Sequence, residues 1–499
     1  MFSNIDLPRI RELLEFNQYD PLLFGTSLFL FLFAGFLLIY FVLKSNYKLQ
    51  LSWLIVFSLF FYYKASGIFV LLIIGTAIVN YLFGMWINKS GEGAMRKISL
   101  SLSVIVNIGV LAYFKYANFF ITSVNEFGGT AWNSLDIIIP LGISFYTFKS
   151  LNYIFDIYYE MMEPEYSFFE FLLFVSFFPN TMSGPIDRAR NFLPQLKEPN
   201  PITNEVLGRA VLLISMGLIK KYAIADYISL NFVDRVFESS TRFTGVENLL
   251  AIYGYTLQIF CDFSGYTDMA IGISLLFGFK LMDNFNYPFK AKSVAEFWRR
   301  WHISLSTWLQ DYLFKPLQMS FRHMRLLGNA LAIMITFVLC GLWHGSTWGF
   351  IFWGFLHGFF MSFSLLTKDI KEKLFTITRL KNTRLLGFVQ TVITFHLIAF
   401  AFVYFRSPSL SYASDMFNQI INYFYPGVFI QFIQGYQGVF ILMSLGFFFH
   451  FLPDSIEKRA EKLLVRSPLV LKGLILALVI YFVAQVKSAD LQPFIYFQF

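Results

Sequence analysis

Six histidines are the residues of this chain best suited to move a proton near neutral pH: His302, His323, His344, His357, His396 and His450. Imidazole titrates close to physiological pH and serves as a general acid or base, so the setting of each ring decides what it can do. His344 stands in Cys340-Gly-Leu-Trp-His-Gly-Ser-Thr-Trp-Gly349. Gly341, Gly345 and Gly349 keep the backbone bare around one imidazole, which leaves room for a substrate, and Trp343 and Trp348 flank it with apolar walls. The plainer reading is a histidine capping a hairpin at a membrane interface. His302 stands in Glu296-Phe-Trp-Arg-Arg-Trp-His-Ile-Ser-Leu-Ser-Thr-Trp308. At helical spacing Trp298, His302, Leu305 and Leu309 share one face, with Arg299, Arg300 and Trp301 outside that row. Such a helix fits the cytoplasmic membrane interface, basic on one side and aromatic on the other. Alternatively its aromatic face turns into a cavity and the arginines attract an anionic donor.

The other histidines read more plainly. His396 and His450 lie on apolar stretches and are expected to be packed and hydrogen-bonded, while His323 lies between Arg322 and Arg325 in a solvated loop. His344 and His357 are thirteen residues apart, which matches no metal-ligand spacing. No phosphate-binding Gly-rich loop, His-Glu-x-x-His site or nucleophile elbow is present. Neither a metal nor a redox centre has support, and no bound cofactor is expected. Cys261 and Cys340 lie in apolar surroundings and give no disulfide framework.

The elements that hold these rings belong to a membrane. Hydrophobic residues make up 57% of the chain and charged ones 14%, against about a quarter charged in soluble domains, so there is too little charge to cover a soluble surface. Apolar stretches such as 21–44, 68–87, 98–122, 385–405 and 469–486 reach the ~20 residues that cross a bilayer as helix. Alternating ten-residue strands are not the pattern. The expected fold is all-α and polytopic, with roughly ten to thirteen spans, in a single membrane-embedded domain over residues 1–499. Residues 1–20, with Asp6, Arg9, Arg11, Glu12 and Glu15, show no signal peptide and read as an interfacial segment; 290–366 carries both motif histidines.

The net charge of +8 reports loop orientation rather than nucleic-acid binding. Basic loops at 44–48, 89–97, 290–325, 368–384 and 458–466 fall on one side and the charge-poor loop 407–435 on the other. With the basic loops cytoplasmic, both termini lie outside. Between 137 and 282 the apolar runs are broken by Pro140, Pro179, Pro185 and Pro194 and by Lys149, Asp156, Asp187 and Arg188. Irregular backbone at membrane depth survives only where protein or water buries it, so broken or re-entrant helices lining a cavity are expected there.

Further motifs are spread along the chain: Pro140-Leu-Gly-Ile-Ser-Phe-Tyr-Thr-Phe148, Phe177-Phe-Pro179 with Ser183-Gly-Pro-Ile186, Gly217-Leu-Ile-Lys-Lys221 with Ile224-Ala-Asp226, and Asp262-Phe-Ser-Gly-Tyr-Thr-Asp-Met-Ala270. Asn284-Phe-Asn-Tyr-Pro-Phe289, the two histidine segments and the terminal Pro493-Phe-Ile-Tyr-Phe-Gln-Phe499 complete the set. With these the chain resembles the membrane-bound O-acyltransferases, in the bacterial branch that modifies alginate by O-acetylation and teichoic acids by D-alanylation. The resemblance implies a ring of membrane helices around a central tunnel. It also implies that His344 and His302 are the family's two histidines, with Trp298, Arg299, Arg300, Trp301, Trp343 and Gly345 on the donor side or along the tunnel.

The resulting expectation is an enzyme of the bacterial inner membrane. It moves an acyl group, acetyl before others, from a cytoplasmic thioester (acetyl-CoA or an acyl carrier protein) to a hydroxyl of an extracytoplasmic polysaccharide or a partner protein. His344 deprotonates or holds the hydroxyl, and His302 lines the cytoplasmic approach or orients the donor. An extracytoplasmic esterase-like acyltransferase is the expected protein partner and membrane lipid the other; nucleic acid is not one. D-alanyl transfer to teichoic acids is the alternative within the family. From another class comes a flippase for lipid-linked glycans, which would share the broken helices and buried charges. The orientation is tested by cysteine labelling in sealed cells. A cysteine at Ser411 is expected to react with an impermeant thiol reagent and one at Ser455 to stay unmodified; the reverse pattern inverts the topology.

Overall fold

The computed structural model describes residues 7–17, 21–165 and 167–486, which form helices and no strand. The Pro493–Phe499 motif, the chain ends and part of the expected interfacial segment 1–20 lie outside the described residues. Among the described residues seven helical stretches are long and apolar enough to cross a membrane, or eight if the bent pair Val428–Gly435 and Gln437–Phe451 forms one span. One of the seven, Tyr47–Lys89, consists of two helices joined by a short 3₁₀ turn. By length and apolarity together the tally is lower than the ten to thirteen expected: between 143 and 200 the helices are short, and Gly245–Leu275, although 31 residues long, is not among the seven.

The chain divides into two compact units, Met1–Pro201 with Ile273–Leu281, and Ile202–Gly272 with Met282–Phe499. In the first, α1 (Ser27–Val42) is capped by the Thr26 hydroxyl and α2 (Tyr47–Ser66) by Asn46, whose side chains accept from amides three residues on. α3 (Val70–Lys89) and α4 (Ala94–Gly128) are joined in their apolar contact by a reciprocal amide pair, Asn80 with Asn107 at 2.8 and 2.9 Å. Phe36, Phe57, Phe61 and Phe178 pack ring against ring at 4.0–6.1 Å. As far as Lys197 the proline-broken stretch folds as α5 (Ile143–Tyr158) followed by short helices, and Lys149, Asp156, Asp187 and Arg188 are buried. Lys149 Nζ donates to Asn180 Oδ1 at 2.8 Å, and Asn180 Nδ2 donates to Asp187 Oδ2 at 2.9 Å.

The second unit holds both motif histidines. α6 (Asn204–Leu218) runs into π-helical turns at Ile219–Ala225 and Ser229–Val233 and packs on α7 (Gly245–Leu275). A Cβ on Gly217 would stand 2.5 Å from Gly265 O, so the two backbones touch. This approach aligns Lys220 with Asp268 at 2.7 Å, and Lys221 with Asp262 at 2.8 Å and Asp226 at 2.9 Å. Motifs far apart in sequence are thereby joined by ion pairs, of which Lys221–Asp262 is buried and Lys220–Asp268 half-buried, and the pairing offsets the cost of burying the charges.

The single helix read through Trp298 and His302 is two. α8 (Val294–Trp298) ends in a turn at Arg299–Trp301, His302 takes a left-handed conformation (φ 45°, ψ 52°), and α9 (Ile303–Leu309) starts after it. Helical periodicity survived the break because Trp298, His302, Leu305 and Leu309 are all buried. α10 (Arg325–His344) and α11 (Trp348–Leu366) form the expected hairpin. Its helices cross where Gly341 meets Gly354: a Cβ on Gly341 would lie 2.2 Å from Phe350 O and one on Gly354 2.3 Å from Phe337 O. Beyond the hairpin run α12 (Arg384–Arg406), α13 (Gln437–Phe451) and α14 (Leu469–Val486). Gly354→Leu is expected to push the hairpin open at a cost of about 1–3 kcal/mol. A lowered Tm in detergent together with lost catalytic activity would report it; an unchanged pair would mean that the crossing adapts.

Candidate active site

His344 is the last residue of α10 and His302 lies between α8 and α9, yet their rings are 6.5 Å apart, centre to centre. Both are buried, at 3% and 0% exposure. The two histidines are therefore neighbours in one buried aromatic cluster, whereas the sequence reading had His302 lining the cytoplasmic approach or orienting the donor. α10 rises about 30 Å over its 20 residues, which puts His344 at the end of a full span away from Arg325. The irregular segment carrying His302 reaches the same depth.

That depth has to be reached without stranding backbone groups. Residues 284–286 run beside 300–303: Ile303 N donates to Asn284 O at 3.0 Å and Asn286 N to Arg300 O at 2.9 Å. Asn284 Oδ1 accepts from Ser304 N at 3.1 Å and Ser304 Oγ at 2.7 Å, and lies 3.3 Å from His302 Nδ1. A backbone amide can only donate, so the Asn284 atom is the oxygen, and His302 Nδ1 must carry the proton. The neutral ring then holds its lone pair on Nε2. Phe263, on α7, meets the His302 ring edge to face at 4.6 Å.

A third histidine belongs here that the sequence reading weighed only for metal-ligand spacing. His357, on α11, is fully buried and its Nδ1 accepts from Trp298 Nε1 at 3.1 Å. Indole can only donate, so His357 is neutral with its proton on Nε2, the opposite tautomer to His302. The available signal was its setting, Trp353-Gly-Phe-Leu-His-Gly358, where flanking glycines permit close helix contact. Trp353 bridges the group, 5.0 Å from the His344 ring and 4.7 Å from that of His357. Trp353 Nε1 and His357 Nε2 are buried with no hydrogen-bond partner among the described residues.

The remaining sequence candidates divide. Trp343 faces the chamber, 4.9 Å from His344 and 6.1 Å from His302, whereas Trp348 is exposed and forms no wall; Phe405, 5.3 Å from His344, takes that place. Trp298 lies among Phe337, Trp353 and His357, and Trp301 stacks on Phe297 at 5.4 Å. Arg300 is engaged, bound to Glu296 at 2.9 Å and to Asn286 O at 3.2 Å, so it closes the turn; Arg299 is exposed. The glycines around His344 leave no open space. A Cβ on Gly345 would stand 2.0 Å from the Phe350 ring and one on Gly349 2.8 Å from Tyr404 O, so these positions are bare because other parts of the fold fill them. His450 Nε2 accepts from Phe289 N at 3.1 Å, and His323 is exposed in a 3₁₀ turn.

Residues 163–407, which include both histidines, match the membrane-bound O-acyltransferase family. A peptidoglycan O-acetyltransferase from Helicobacter pylori is 35% identical over 433 residues, covering 80% of each chain. The chain belongs to the membrane-bound O-acyltransferase family. A probable alginate O-acetylase from Pseudomonas aeruginosa is 36% identical over 81% of this chain and 75% of its own. A teichoic acid D-alanyltransferase from Bacillus subtilis is 33% identical over 54% of this chain and 69% of its own. The chain is thus a multi-pass membrane acyltransferase, and the second unit supplies it with three neighbouring imidazoles, two of them fixed in opposite tautomers. With only six histidines, ¹⁵N-histidine solid-state NMR can read those tautomers. His302 is expected as the Nδ1–H form and His357 as the Nε2–H form, and Asn284→Ala is expected to mix the two tautomers of His302 alone. An unaltered His302 signal in that variant would show that Asn284 does not set it.

Proposed function

We propose that this protein transfers an acyl group, acetyl in the first place, from a cytoplasmic thioester on CoA or an acyl carrier protein to a hydroxyl outside the bacterial inner membrane. The hydroxyl belongs to an envelope glycan or to an extracytoplasmic partner protein that completes the transfer. The observation that carries this reading is the meeting of His302 and His344, from separate elements, 6.5 Å apart in a buried aromatic cluster of an acyltransferase-family chain. Acetyl is preferred over D-alanyl because the O-acetylating relatives align over about four fifths of the chain and the D-alanyltransferase over 54%.

In the reaction the hydroxyl oxygen bonds to the thioester carbonyl carbon and the C–S bond breaks. The hydroxyl proton passes by way of His344 to the departing thiolate. His302, its Nε2 lone pair fixed by Asn284, accepts a hydrogen bond from an N–H of the donor arm and orients it. Charge builds on the carbonyl oxygen during attack, and donors aimed at it supply a large share of such catalysis. The Trp353 indole N–H, beside His344 and without an acceptor among the described residues, is the group best placed for that oxygen. Burial of the site also protects the thioester from hydrolysis.

The test is the acyl content of the envelope polymer in a deletion strain complemented with each variant at matched membrane levels. His344→Ala is expected to lose roughly 10²–10⁴-fold in transfer, and Trp353→Phe, which keeps the ring and removes the N–H, roughly 10²–10³-fold. His302→Ala should cost less than His344→Ala, and His396→Ala should behave as wild type. Full acylation by His344→Ala would remove the mechanism and move the flippase reading ahead.

A further inference from the structure

A groove of about 880 Å³ opens on the second unit between α7, α12 and α13, away from the imidazole chamber. Its floor is apolar. Phe388, Val392 and Phe395 descend one face of α12 at helical spacing, and Phe447 and Phe451 descend α13 beside them. Phe388 is 67% exposed and Val392 38%, so the floor is open to its surroundings. One end of this floor is cationic, with Lys290, Lys292 and Arg384 lining it. Lys290 is held by Asp454 at 2.9 Å and by Leu452 O at 2.7 Å. Neither Lys292 nor Arg384 has an ion pair among the described residues. The same end carries the N-terminus of the 23-residue helix α12, capped by Thr383, where free amides and the helix dipole favour an anion.

The other end of the groove is closed to polar ligands. His396 Nδ1 donates to Val392 O at 2.8 Å, so its Nε2 accepts, and the Tyr253 hydroxyl donates to it at 3.0 Å. From Arg384 to His396 α12 rises about 18 Å at 1.5 Å per residue, close to the ~15 Å depth of one leaflet's hydrocarbon. The geometry points to a binding site for an anionic glycerophospholipid of the leaflet on the basic side, with its phosphate at Lys292, Arg384 and Lys290 and an acyl chain along Phe388, Val392 and Phe395. Basic pockets between membrane helices take anionic headgroups in this way. The groove is not an entry for the acyl donor, because Phe395, Phe289 and Trp301, in contact at 5.6 and 6.3 Å, wall it off from the chamber.

Native mass spectrometry of the full-length protein, exchanged into detergent with phosphatidylglycerol or phosphatidylcholine at equal concentration, tests the site. Wild type is expected to retain phosphatidylglycerol preferentially and to gain Tm from it, with both effects weakening as salt is raised. Lys292→Gln with Arg384→Gln should weaken retention about 25-fold, roughly fivefold for each lost charge. Val392→Trp keeps the charges and fills the floor, and should also lose the lipid. Lys368→Gln with Lys371→Gln, outside the groove, should retain it. Equal retention of the two lipids by wild type, or undiminished phosphatidylglycerol binding in Val392→Trp, overturns the site even if the double charge variant fails to fold. A raised KM for the thioester with lipid retention unchanged would assign the cations to the donor and overturn it as well.

Discussion

Asn284 Oδ1 gathers the amide and the hydroxyl of Ser304 and faces His302 Nδ1, and much else in the second unit follows from that convergence. A stretch of backbone that is neither helix nor strand can stand at membrane depth only if its polar groups are satisfied inside the protein. The paired strands of loop at 284–286 and 300–303 meet that condition with backbone hydrogen bonds. The asparagine then ties the turn to the imidazole. His302 is held left-handed at φ 45°, a conformation that costs roughly 1–2 kcal/mol for a non-glycine residue. The strain is tolerated because the surrounding hydrogen bonds leave the segment no relaxed alternative at that depth.

The chamber around this anchor is built by contacts that use small residues to bring large ones together. Gly341 and Gly354 allow the hairpin helices to touch, which sets His344, Trp353 and His357 at ring-to-ring distances of 4.7 and 5.0 Å across the group. Gly217 and Gly265 do the same for α6 and α7, whose contact aligns the Lys220 and Lys221 charges with Asp268, Asp262 and Asp226. α7 in turn presents Phe263 to His302. Removing Lys221 would strip the buried Asp262 of its ion-pair partner and cost several kcal/mol, so this pair holds the scaffold on which the rings are mounted.

The tautomers give the chamber chemical direction. Ser304 N and Trp298 Nε1 are donors without an alternative role, and through them His302 and His357 are fixed as opposites. One presents a lone pair at Nε2 and the other a proton. An acyl transfer needs both kinds of group, an acceptor to orient or deprotonate and a donor where negative charge develops. The rings of Trp343, Trp353 and Phe405 pack around His344 at 4.9, 5.0 and 5.3 Å.

The sequence by itself determined the class and the helices that follow one period over twenty residues. Leu469–Val486 and the hairpin Arg325–His344 with Trp348–Leu366 lie where apolar length and basic flanks placed them, because a bilayer imposes a length that composition alone reveals. The motifs around His302 and His344 also pointed to the family. Tertiary structure alone decided that these two rings share a chamber, that His357 joins them, and that Trp298 and His302 belong to different helices. A periodic pattern records burial rather than helix continuity, and here four buried residues kept the helical spacing across a break. The glycines near His344 were legible as close approach but not as to what approaches, since a missing side chain does not say whether substrate or Phe350 fills the space. Asn284 and His302 are eighteen residues apart, and no local rule of spacing joins them. Only a backbone that must satisfy itself away from water does.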